Sequence, residues 1–188
     1  MDLPDLNLRM PAWVWEFLGD PLRAYPTPEA KMTLAIGLSR LNVERRFGGP
    51  FGAVIFDLST NRVAAPGINL VIPSRCSVAH AEIVAIILAQ QRLGTHDLRR
   101  AGDAGFELVA STEPCAMCLG AIPWSGVCSV ICGARDEDAR SIGFDEGAKP
   151  PDWAASLRAR NISVECDVCR AEAQSVLRDY ANGGGMLY

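Results

Sequence analysis

Lysine is nearly absent from this chain of 188 residues: Lys31 and Lys149 are the only two. The arginines are scattered, with Arg45-Arg46 and Arg99-Arg100 the only adjacent basic pairs, and the formal net charge is −4. A protein that grips a phosphate backbone uses a clustered basic footprint. Its lack here points to a small-molecule substrate and to no nucleic-acid partner. Long apolar runs are missing too. Ile83-Val84-Ala85-Ile86-Ile87-Leu88-Ala89 is among the longest, well short of the roughly 20 residues a membrane span requires. The first residues hold no basic start followed by an apolar stretch, because Asp2 and Asp5 stand where a leader needs lysine or arginine. These absences predict a soluble cytoplasmic protein with no membrane partner. Cysteine, by contrast, is plentiful. Seven is an odd number, and without a secretory segment metal or redox use outranks a disulfide framework.

The remaining composition, 49% hydrophobic and 21% charged, is that of an ordinary globular domain. The length suits one domain with its own core. A short helix is expected between Met10 and Asp20, inside an N-terminal extension covering 1–26. The domain proper, 27–188, opens with Thr27-Pro28-Glu29, a cap, a first-turn proline and an acidic residue. That helix is expected to run to about Phe47, where Gly48-Gly49-Pro50 breaks it. Strands are expected at 51–57 and 63–71, joined as a hairpin, then at 106–111, 127–132 and 162–166. Helices are expected at 79–93, 115–124, 153–160 and 169–180. Strands separated by helices imply a mostly parallel sheet covered on both faces, and the hairpin makes it mixed. The tail, 181–188, is glycine-rich and could serve as a lid.

The chemistry lies in His80-Ala81-Glu82 and Pro114-Cys115-Ala116-Met117-Cys118. Both are expected at helix starts, where the helix dipole favours a thiolate. One imidazole and two thiolates leave a fourth zinc position open, the arrangement of a catalytic zinc site. Glu82, two positions beyond His80, is then free to move protons. Two other readings compete. A lone C-x-x-C is often structural or redox, and Cys115/Cys118 with Cys166/Cys169 could build a closed four-cysteine zinc site. The latter leaves the His80/Glu82 pair unexplained, and the gap from Cys118 to Cys166 exceeds the roughly 15–20 residues usual between such pairs. Cys166 and Cys169 then remain two thiols at a strand–helix junction, and Cys128 and Cys132 buried thiols sharing a strand face with Val130.

The two motifs, read as H-x-E…P-C-x-x-C, resemble those of the zinc deaminases. The run from Thr112 to Ile122 resembles the cytidine deaminase-like superfamily, and Ser141-Ile142-Gly143-Phe144-Asp145-Glu146 its guanine deaminase branch. The resemblance implies a three-layer α/β/α sandwich around a mixed five-stranded sheet, a Zn2+ cofactor, and often a homodimer in which the C-terminal segment reaches over an active site, sometimes the partner's. It implies that His80, Cys115 and Cys118 are the zinc ligands, Glu82 the first proton shuttle and Glu146 the second, with Asp145 the fallback. Asn69 resembles the asparagine that reads the base. Ala81, Phe51, Trp124 and Tyr188 complete the expected substrate-binding set, Phe51 and Trp124 as candidate stacking walls and Tyr188 as part of the lid. The activity implied is hydrolysis of guanine to xanthine and ammonia, with hydroxide attacking C2, a step in purine metabolism. Guanosine, amino-triazines such as ammeline, and a base within tRNA are the alternative substrates. Thr112 departs from the pattern, standing where relatives frequently have cysteine.

Overall fold

The computed structural model describes residues 8–188, so the first seven residues of the expected extension lie outside the described residues. Five strands, β1 (Gly52–Asp57), β2 (Arg62–Ile68), β3 (Phe106–Thr112), β4 (Ser129–Ala134) and β5 (Ser163–Glu165), form one sheet in the order β2-β1-β3-β4-β5. β1 is antiparallel to both β2 and β3, whereas β3, β4 and β5 are parallel to one another. The mixed sheet read from the sequence is the sheet observed.

Alternation along the central strands sends side chains to two separate cores. Val54 and Phe56 of β1, Val109 of β3 and Ile131 of β4 pack against α1 (Ala12–Leu18), α2 (Pro28–Glu44) and α8 (Arg170–Asn182). Ala53 and Ile55, Leu108 and Ala110, and Val130 and Cys132 face α4 (Ala81–Leu93), α5 (Ala116–Ser125) and α7 (Trp153–Arg158). Two buried layers explain why these strands read as nearly continuous apolar runs. Contact between β2 and α4 is very close: a Cβ on Gly67 would collide with the Ala81 carbonyl.

Helix α2 starts where expected, with the Thr27 hydroxyl accepting from the Ala30 N–H at 3.2 Å. It ends at Glu44, three residues earlier than the sequence suggested. The second strand is also shorter than expected. It stops at Ile68, and Val71–Ser74 forms the short helix α3, because the Asn69 side chain accepts from the Val71 N–H and turns the chain. A further short helix, α6 (Asp136–Ser141), occupies a stretch without a clear apolar period. Cys132 is buried as expected, but Cys128 precedes β4 and is half-buried, its thiol directed at the Phe106 carbonyl.

Among the described residues, no helix is long and apolar enough to cross a membrane.

Candidate metal centre and active site

Because β1 runs opposite to its neighbours, one edge of the sheet collects the C-terminal ends of β2, β3 and β4 and the start of β1. Open α/β sheets bind ligands in the crevice outside the carboxyl ends of their strands. Here α4 and α5 both begin at that edge. His80 is the residue just before α4, and Cys115 the residue just before α5. They cap the helices instead of lying within their first turns, as the sequence had suggested for His80. Glu82 is the second residue of α4 and Cys118 the third of α5.

The three candidate ligands meet. Their donor atoms all lie within 4.8 Å of one another, and His80 Nδ1 is 3.5 Å from Cys115 Sγ. Zinc–sulfur and zinc–nitrogen bonds of about 2.3 and 2.0 Å need donor separations of this order. No other group of three or more metal-ligating side chains is found among the described residues. Cys166 and Cys169 therefore do not join Cys115 and Cys118 in a closed site.

The electrostatics suit a divalent cation. A hydrogen bond from the Cys118 thiol, with help from His80, overcomes burial and lowers Cys115 to about 4. Cys118 keeps its proton, pushed up by the neighbouring Cys115 sulfur, by burial and by Glu82. Burial by itself would lower His80, but its hydrogen bond to Cys115 and the charges around it raise it instead. A thiol of lowered pKa, an imidazole and a second thiol brought together are a donor set whose protons a metal displaces. The residues fit the ion.

Two carboxylates face this cluster. Glu82 is only 8% exposed; burial and the Cys115 charge raise its pKa, with His80 opposing. Glu146 is 6% exposed and raised to about 8, first by burial and then by the charges of Cys115, Glu82 and Asp136, with Lys149 acting the other way. The Glu146 carbonyl accepts from the Ala116 N–H at 2.9 Å. One of the unpaired donors at the start of α5 thus holds the Glu146 loop to the metal helix.

Asn69 ends β2 and is 1% exposed. Its Oδ1 is taken by the Val71 N–H, while its Nδ2 is buried without a partner. Its backbone N–H donates to the Phe51 carbonyl. The half-buried Phe51 ring packs edge-on against Phe144 at 4.9 Å, and Phe144 in turn packs against Tyr188 at 5.4 Å. The tail therefore returns to the site of its own chain, fastened by the Tyr180 hydroxyl donating to the Met186 carbonyl. The Tyr188 phenol is raised by burial, then by Tyr180 and by the charges of Glu82 and Glu146.

Three expected site residues are placed differently. Trp124 is 82% exposed on α5 and forms no wall of the site within this chain; the ring that packs against Phe51 is Phe144. Asp145 has an 89% exposed side chain that accepts from the Gly147 N–H and faces Arg140. Neighbouring residues in an extended loop point opposite ways, so placing Glu146 inward sends Asp145 outward. Ala81 has its methyl in the core beside α4, which leaves only its backbone to serve the site. Asn42 and Lys149 escaped the sequence reading. A lone amide among the apolar positions of α2, and one of only two lysines in the chain, were the available signals.

Residues 27–134 match the cytidine and deoxycytidylate deaminase zinc-binding region, and the chain belongs to that family. It is 39% identical over 118 residues to a guanine deaminase of Bacillus subtilis, covering 63% of this chain and 71% of that protein. A tRNA-specific adenosine deaminase of the same species is 38% identical over 87 residues, 46% of this chain and 50% of that protein. The solved structure of a guanine deaminase from Nitrosomonas europaea superposes with a TM-score of 0.89 at 43% identity, covering 95% of this chain and 97% of that one.

Proposed function

We propose that this protein is a zinc-dependent deaminase that hydrolyses guanine to xanthine and ammonia. The observation that carries the reading is the convergence of two buried carboxyl groups, Glu82 and Glu146, on the His80/Cys115/Cys118 cluster. A carboxylate that only held a metal would not need a second one, protonated near neutral pH, across the site. The similarity to guanine deaminases over most of the chain supports the choice of base. So do neighbouring structures at 43% identity with 8-azaguanine and with 2,6-diaminopurine bound.

Zinc, when held by His80, Cys115 and Cys118, lowers the pKa of a water toward neutrality and supplies Lewis-acid stabilisation of developing negative charge. Glu82 takes the proton that water loses as its oxygen bonds to guanine C2, and passes it to the adjacent ring nitrogen. C2 becomes tetrahedral. Glu146, raised to about 8, gives a proton to the exocyclic amine. The C2–N bond then breaks, ammonia leaves, and Glu146 recovers the proton that the new C2 hydroxyl loses as the carbonyl forms. Asn69 reads the base through its free Nδ2, Phe51 and Phe144 wall the pocket, and Tyr188 closes it from the tail. We expect the chain to act as a homodimer, with the exposed Trp124 a candidate contact for the second copy.

Ammonia release from guanine by the zinc-loaded protein, set beside guanosine, ammeline, adenine and cytidine, tests the reading. Release from guanine with loss of turnover in Glu82→Gln at unchanged zinc content supports it. Near-normal turnover in that variant, or activity only on tRNA, overturns it.

A further inference from the structure

The deepest polar side chain near the site belongs to none of the roles above. Asn42 lies in the last turn of α2 and is completely buried. Its Nδ2 donates to two carbonyls from different parts of the chain, Gly49 at 2.9 Å and Asn69 at 3.0 Å. Its own carbonyl accepts from the Phe47 N–H at 3.0 Å, closing the turn between α2 and Gly48. One residue thus ties together the end of α2, the glycine turn before β1, and the end of β2. Gly48 and Gly49 show how closely these parts meet. A Cβ on Gly48 would strike the Asn69 carbonyl, and one on Gly49 would strike the Tyr188 hydroxyl.

Among the described residues the Asn42 Oδ1 has no partner. A half-satisfied buried amide stabilises a core less well than an apolar side chain of the same shape. What Asn42 supplies is geometry. Asn69 is held at its N–H by Phe51, at its Oδ1 by Val71 and at its carbonyl by Asn42, so its unpartnered Nδ2 has one direction available. Among the described residues, only the Asn42 hydrogen bond reaches Asn69 from outside its own strand pair and turn.

We propose that Asn42 is a positioning residue for substrate recognition: by clamping the Gly49 and Asn69 carbonyls, it sets the orientation in which the Asn69 amide meets the base. The inference rests on the reading of Asn69 as a base-contacting residue. It assigns Asn42 no contact with substrate.

A double-mutant cycle tests it. Asn42→Leu, near in shape and unable to donate, is expected to lower kcat/KM for guanine by roughly ten- to hundredfold, mostly through KM. In an Asn69→Ala background the same change is expected to have almost no effect, because the group it orients is gone. Equal losses in both backgrounds, or no loss in either, would overturn the proposal. A readout independent of turnover accompanies the cycle. The chain has six asparagines, so asparagine-selective 15N labelling yields few side-chain amide signals, and Asn69→Ala identifies the one of interest. Asn42→Leu should shift or broaden that signal, and an unmoved signal sinks the idea whether or not the protein deaminates guanine. Should the leucine variant not fold, Asn42→Ser, which can donate to one carbonyl at most, carries the same two measurements. A wild-type chain that releases no ammonia from guanine would count against the proposed function, and is separable from these outcomes.

Discussion

The Lys149 ammonium lies 3.1 Å from the carbonyl of Pro114, the residue immediately before the candidate ligand Cys115. The same ammonium is 3.3 Å from the Glu113 carboxylate and 3.0 Å from that of Asp136, and it rests 5.1 Å from the centre of the Trp153 ring. Lys149 follows Glu146 by three residues. One buried cation therefore fastens the loop carrying the second carboxylate to the strand end carrying the cysteines.

Lys149→Met should destabilise the fold by roughly 3 kcal/mol, the lower end for breaking a buried ion pair, because Asp136 keeps Arg140 as a partner while Glu113 keeps the Asp136 N–H but no cation among the described residues. Urea unfolding measures the loss. Turnover should fall as well, since Glu146 loses its anchor. A variant of wild-type stability would show that the charges are solvated instead.

Glu146 and Asp145 are adjacent in sequence and opposite in placement. Glu146→Gln should cost about 10²–10⁴-fold in kcat, the usual worth of a positioned acid–base group, with metal content unchanged. Asp145→Asn should stay within about twofold, as an exposed substitution outside the site. Steady-state kinetics on the two variants, side by side, decide whether burial or sequence position marks the second acid. The reverse ranking would reject the assignment.

Far from the site, Lys31 pairs with Glu107 at 2.8 Å, both side chains buried, and the Ser129 hydroxyl donates to the other carboxylate oxygen. Lys31→Ala should cost about 3–5 kcal/mol by leaving Glu107 buried and unpaired. Replacing both, Lys31→Met with Glu107→Leu, should recover most of that loss. Denaturant midpoints for the single and double variants provide the check. A double variant no better than the single one would mean the pair contributes more than mutual neutralisation.

Asp138 joins α6 to α8 through Arg170, at 2.9 Å, and Gln174, at 2.6 Å. Partial burial would raise its pKa, but hydrogen bonds from Arg170, the Arg135 N–H and Gln174 hold it at about 2, below its ordinary 3.8. A carboxylate depressed in the folded state stabilises fully above its unfolded value and loses that contribution as the pH falls toward the folded one. Asp138→Asn should therefore lower Tm by a constant margin between pH 7 and 5. The margin should begin to close below about pH 4. A margin that widened on acidification would contradict the depressed value.

How far the sequence reached depended on the distance over which each feature is determined. The motif spacings, the cap at Thr27 and the continuous apolar strands are local, and each is found in the fold nearly where the pattern put it. The candidate metal ligands were legible because His80 and the Cys115/Cys118 pair stand in short local motifs that resemble those of a known family, and each motif falls at a helix start. Errors fell where local signals were weak or where a distant contact decided the outcome. Asn69 ends β2 early through a side-chain hydrogen bond, and the α6 segment carries few apolar residues to mark it.

The sequence by itself determined a two-faced mixed sheet, because period acts within a strand, and it named the three candidate metal donors through the resemblance of their motifs to a known family; the fold brought His80 to the two cysteines. Tertiary structure alone decided that Glu146 and not Asp145 faces the cluster, that Phe144 and not Trp124 packs against Phe51, and that Asn42 bonds the Asn69 carbonyl. Each of those outcomes depends on which distant segment packs nearby. Burial and hydrogen-bond partners exist only once the chain has folded.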